Sequence, residues 1–156
     1  MTSSDKDITP ANTEQELLEK FDRASVLRNI SNKPVAWLVF WLSVAYSAFH
    51  LYITYNPMPE LLQRSAHVAI GLCLIFFLYP ARQSTSRSRV SLVDWVLVLA
   101  SAASFGYLAL EYQAIMTTRG GIPNTLDIAF SILTVVLVVE GTRRIMGWML
   151  PILALV

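Results

Sequence analysis

The chain has 156 residues, 54% of them hydrophobic and 15% charged, with a formal net charge of +1 and a mean hydropathy of +0.50. This is too apolar for an ordinary soluble domain, and the charges lie between long apolar runs instead of within them. The basic residues are scattered among the connections and form no stripe, which excludes the footprint of a nucleic-acid partner.

Residues 1 to 12, MTSSDKDITPAN, are polar and aperiodic and read as a disordered tail. From Thr13 the pattern changes. Thr13 and Glu16 have capping-box spacing, and Leu17, Leu18, Phe21, Ala24 and Leu27 recur at helical intervals among charged residues. The segment 13–33 is therefore expected to form an amphipathic helix lying at the membrane surface or on a partner. So long a polar stretch before the first apolar run is unlike a cleaved secretory signal, so the first span is expected to stay as an anchor.

Residues 34–55, PVAWLVFWLSVAYSAFHLYITY, contain no Asp, Glu, Lys or Arg. At about 1.5 Å per residue they cover roughly 33 Å, enough for a hydrocarbon core near 30 Å. Asn56-Pro57-Met58-Pro59 breaks this helix, and a second run, about 62–79, ends at Pro80. The connection is short, so the two helices are antiparallel neighbours. A Ser- and Arg-rich loop, ARQSTSRSRVS, leads to a third span at 92–112, with Asp94 and Trp95 marking where it meets the interface. Along it Ala100 with Ser104, and Ala102 with Gly106, have the four-residue spacing of small side chains that lets membrane helices come close. Asn124 and Asp127 mark the start of the fourth span, 125–142. Glu140 with Arg143 and Arg144 marks its end, where Glu140 and Arg144 are expected to form an ordinary interfacial ion pair. The final run, 145–156, covers only about 18 Å as a helix and reads as the start of a truncated further helix. The fold class is thus an all-α, polytopic membrane bundle with four complete spans.

Lys20, Arg23, Arg28, Lys33, Arg82, Arg87, Arg89, Arg143 and Arg144 flank one side of these spans, and only Arg64 and Arg119 the other. This asymmetry predicts a cytoplasmic N-terminus. Trp37, Trp41, Trp95 and Trp148 then all fall near the cytoplasmic interface.

Few residues carry chemistry. Cys73, the one cysteine, lies inside an apolar run and reads as a buried inert thiol, which leaves neither an intrachain disulfide nor a cysteine-based metal site. His50 and His67 are expected at similar depth on adjacent helices, where they can bracket a haem or a metal, although a histidine there more often bonds a neighbouring polar group. Arg64, one turn before His67, either snorkels to headgroups or holds a partner. No carboxylate is forced to mid-bilayer, and no nucleophile motif, phosphate loop or paired-carboxylate arrangement occurs, so neither an enzyme nor an ion relay is expected.

Several strings together resemble one family: ELLEKFDRASVLRNIS, AFHLYITY, PMPELLQRSAHVAIGLCLIFFLYPAR, VSLVDWVLVLAS and NTLDIAFSILTVVLVVEGTRRIMGWMLPILAL. They are similar to the N-terminal, small-subunit-like four-helix region of fused TRAP (tripartite ATP-independent periplasmic) transporter permeases. The resemblance covers nearly everything from Glu14 onward. It implies a bacterial inner-membrane scaffold beside a large permease domain, working with a periplasmic binding protein that delivers an organic acid or similar solute, driven by a cation gradient. It also implies that substrate and cation sites belong to the large domain, so no catalytic, cofactor or metal site is expected here. The candidate partner or helix-packing contacts are Arg64, His67, Ala102, Gly106, Glu140, Arg143 and Arg144. A four-helix haem or redox protein using His50 and His67, and a self-associating membrane protein without a transport role, are the alternative expectations.

Overall fold

A computed structural model describes residue 28 and residues 32–81 and 90–155. The expected tail (1–12), most of the expected amphipathic helix (13–33) and Arg82, Arg87 and Arg89 lie outside the described residues. What is described is helical: α1 (Lys33–Tyr55), α2 (Glu60–Leu78), α3 (Leu92–Gln113), which runs on into a π-helical turn (Ala114–Thr118), α4 (Thr125–Met146) and a short α5 (Met149–Leu155). Four of these, counting α3 with its π turn, are long and apolar enough to cross a membrane. No strand occurs among the described residues, and the molecule is an all-α membrane bundle.

Local signals set the helix ends. Pro34 opens α1, where its missing N–H is no loss, and Asn56-Pro57 closes it. Ser91 with Asp94 and Asn124 with Asp127 form capping boxes at the starts of α3 and α4. Two ends run further than expected. The α3 helix continues as a π turn to Thr118, six residues past Tyr112, and Arg119 just beyond it bonds back to Glu111 at 2.6 Å. The α4 helix reaches Met146 instead of Thr142, because Glu140 holds Arg143 and Arg144 one turn on within the same helix. Gly147, at φ 75°, then turns the chain into α5.

The α2 helix is central. It packs on α1, α3 and α4, and α3 packs on α4, whereas α1 touches no helix except α2 among the described residues. The buried core is Leu72, Phe76 and Leu137, with Leu97, Val98 and Leu133 against it. Gly141 supports this contact: a Cβ there would lie 2.8 Å from Leu72 Cδ2, so a larger residue would push Leu72 aside where α4 meets α2. Phe76, Leu97, Val98 and Gly141 lie in the half of the bundle that carries the tryptophans, and Leu72, Leu133 and Leu137 near its middle. Towards the other end, which carries the histidines, a cavity of about 510 Å³ separates α2, α3 and α4.

Candidate functional site

The densest polar construction is at the tryptophan end, and Asp94 is its centre. Asp94 is fully buried in the first turn of α3, where its Oδ2 accepts the Ser91 N–H at 3.1 Å as the capping box requires. The same oxygen accepts Arg28 Nη2 at 2.7 Å, and Oδ1 accepts Arg144 Nη1 at 2.7 Å. Arg144 Nε bonds Glu140 at 2.9 Å, and Glu140 also takes a two-point contact from Arg143, both bonds 2.7 Å. Three guanidinium groups therefore share two carboxylates. Charge-assisted bonds of this kind are strong only where geometry and desolvation favour them, and here the side chains of Arg28, Asp94 and Arg144 are at most 1% exposed.

The network also closes the end of α2. Its last carbonyls have no partner within the helix, and the Arg28 N–H donates to Leu78 O at 2.8 Å while Arg144 Nη1 donates to Tyr79 O at 3.1 Å. Arg144 lies 5.0 Å from the Phe76 ring centroid, and Arg143 lies 5.5 Å from that of Trp148. Helix dipoles add in the same sense, because Asp94 sits at the positive start of α3 and the two arginines at the negative end of α4. One cluster thus ties the segment before α1 to the ends of α2, α3 and α4. Arg28 Nε, Arg28 Nη1 and Arg144 Nη2 have no partner among the described residues.

Sequence reasoning placed Glu140, Arg143 and Arg144 together at one interface, and they are together. The Glu140–Arg144 ion pair expected at the interface is present, and the structure adds what spacing within one helix does not show: Arg144 is buried and bridges two carboxylates on two helices. Asp94 reads from the sequence as an interface marker, and nothing in the spacing pairs it with Arg28. The available signal is the Ser91-to-Asp94 box, which puts a carboxylate in the first turn of α3, ahead of the apolar run 95–100.

At the histidine end, His50 and His67 are in contact, His67 Nδ1 lying 3.0 Å from His50 Nε2 and 2.8 Å from the Tyr46 hydroxyl. A metal held between two imidazoles needs about 4 Å between their nitrogens for opposed bonds of about 2 Å. As placed, the two rings bond each other and leave no room for a porphyrin plane between them. Tyr46 and His50 lie one turn apart on α1, so the trio is the polar link that joins α1 to α2. Arg64 pairs in the open with Glu60, one turn earlier on α2.

A second ion group pins the α3–α4 connection, where Arg119 bonds Glu111 at 2.6 Å and Asp127 at 2.8 Å. Tyr107 donates to the other oxygen of Asp127 at 2.6 Å and stacks on Phe130, with centroids 4.3 Å apart. Ala102 is exposed, and a Cβ at Gly106 would meet nothing within 4 Å, so this pair faces away from the other described helices. Ala100 packs on the core instead. Among the described residues no group of three or more His, Cys, Asp and Glu could hold a metal ion.

Compared with known protein families, with curated proteins and with solved structures, the chain has no match.

Proposed function

We propose that this chain is the small-subunit-like scaffold of a TRAP-type secondary transporter, holding a large permease domain in the bacterial inner membrane with its tryptophan end in the cytoplasm. The observation that carries this reading is where the resembling strings meet. The strings around Arg28, LYPAR, VSLVDW and VEGTRR are far apart in sequence, yet each contributes a group to the buried network around Asp94. A strongly tied end suits a part that stays still while another domain moves.

The rest of the chemistry agrees. The ion pairs of the described residues lie at the two ends of the helices, and a relay would require ionisable groups at depth. Solute and cation are then handled by the large domain, and a periplasmic binding protein docks at the histidine end. No observation favours the haem alternative, since His50 and His67 bond each other.

The test is co-expression with a TRAP-type large permease domain. Co-purification of the two, with uptake in proteoliposomes that needs both polypeptides and a binding protein, is the expected outcome. Solute uptake by this chain alone would refute the reading, as would a Soret band in the purified protein.

A further inference from the structure

The cavity at the histidine end has a definite build. Its floor is Leu72 and Leu137, the core residues where the three helices close on each other. Its roof is the π turn and the following loop, through Ile115, Gly121 and Pro123, and the Arg119 ion pairs with Glu111 and Asp127 hold that loop in place. A π turn interrupts regular helix bonding and is found disproportionately where a helix shapes a site. The volume of about 510 Å³ is that of a pocket for one small or slender ligand.

The walls decide what kind of ligand. Several hydroxyl residues face the space, but Ser65, Ser101, Ser104 and Thr134 each donate to a carbonyl of their own helix, at 2.8 to 3.0 Å. Asp127 is equally engaged, by Tyr107, Arg119 and the Asn124 N–H. A polar ligand at depth would thus have few donors to meet, while an apolar chain would have van der Waals contact throughout. Among the residues that line the cavity the cation is Arg64 at the rim, whose ion pair with Glu60 is about three-quarters exposed on both sides, 76% and 75%, and so weakly held.

The length decides the source. Along α2 the lining runs from Leu61 to Leu72, about 16 Å of helix, roughly half of a hydrocarbon core near 30 Å. The cavity therefore extends from one interface to mid-bilayer and stops there. A partner helix would need a groove that continues to the tryptophan end, where Leu72, Phe76 and Leu137 close it. We propose that the cavity holds one acyl chain of a phospholipid from the leaflet at the histidine end, with the lipid phosphate on Arg64. This site does not depend on the transporter reading.

The test uses the full chain in nanodiscs containing phosphatidylglycerol with a photoreactive group at the end of one acyl chain. Irradiation and peptide mapping should place adducts around Leu72, Ser101 and Leu137. Ser104→Phe fills the cavity and should abolish those adducts with the helical content unchanged by circular dichroism. Ser131→Phe, on another wall, repeats the test if the first variant misfolds. Arg64→Gln should weaken retention of the lipid in native mass spectrometry by about tenfold, the loss of one charge-assisted hydrogen bond. Adducts spread evenly over the lipid-facing side of α1, or adducts unchanged in both filled variants, would overturn the proposal. So would loss of the adducts when a permease domain is bound, because the partner would then own the cavity.

Discussion

Asp94 serves a different cation with each oxygen and a backbone amide besides, so its charge is worth more than that of any other member of the network. Asp94→Asn keeps the shape but leaves Arg28 and Arg144 buried without their shared counter-ion, a change expected to cost about 3–5 kcal/mol. Arg28→Met should cost less, because Asp94 keeps Arg144 and the Ser91 N–H, and the methionine can fill the apolar part of the space. Glu140→Gln should cost least of the three, since Glu140 is a quarter exposed and water can replace part of what it loses. Thermal unfolding of the three variants in one detergent measures the order. Equal losses would mean that Asp94 is not the centre of the cluster. The sequence made one half of this network legible, because Glu140, Arg143 and Arg144 are neighbours on one helix face. The other half depends on residues 50 and 66 positions away in the chain, and spacing rules for a single helix carry no information about those.

At the scale of the helix, the positions of small residues separate what a sequence can state from what it cannot. The number of spans and their order follow from apolar run lengths and from Pro, Asn and Gly, and four helices long enough to cross a membrane lie in that order, two of them running past their expected ends. Which face of α3 packs does not follow, because Ala100 with Ser104 and Ala102 with Gly106 have the same spacing on different faces. The first pair faces the other helices and the second faces outward. The close approach in fact belongs to Gly141, which has no small residue four positions along and so gave no pattern to read. Gly141→Ala should cost about 1–3 kcal/mol, because the new Cβ would lie 2.8 Å from Leu72 Cδ2 and that buried side chain must leave its present position. Gly106→Ala should be neutral or slightly stabilising, having open space and a better helix former. Melting temperatures of the two variants check the contrast, and a larger loss at Gly106 would place the packing face on the wrong side of α3. For α1, whose one neighbour among the described residues is α2, His67→Leu should remove a link worth about 0.6–1.7 kcal/mol, the range for hydrogen bonds between membrane helices. Hydrogen exchange of α1 amides should rise in that variant while α3 and α4 stay protected; no change in α1 would mean that packing alone holds it.

For the whole molecule the open quantity is orientation, and the structure refines which charges set it. Arg28 and Arg144 are buried on Asp94, so they are not available to headgroups, and Arg143 is committed to Glu140. The signal at the tryptophan end then rests on Lys33 and the arginines at 82, 87 and 89, together with the basic residues before α1. At the histidine end Arg64 and Arg119 are each matched to a carboxylate. The orientation rule counts Lys and Arg near the ends of spans, with little weight for acids, so the asymmetry keeps its sign after these pairs are set aside. The exposed rings of Trp37 and Trp41, stacked with centroids 6.2 Å apart, give that end an interfacial belt of its own. The tryptophan end is therefore expected in the cytoplasm. Ser86→Cys in the sequence between α2 and α3, and Ile122→Cys in the loop between α3 and α4, are expected to place one thiol on each side; Ile122 is 74% exposed and open to reagent. A membrane-impermeant maleimide on intact cells should label Ile122→Cys and reach Ser86→Cys only after permeabilisation. Cys73 is buried against α3, with its sulfur 3.7 Å from Val98 O, and is not expected to contribute background. Labelling of Ser86→Cys in intact cells, with Ile122→Cys silent until permeabilisation, would invert the molecule and put the Asp94 network on the outer side of the membrane, against the basic-residue asymmetry and against the orientation given in the proposed function.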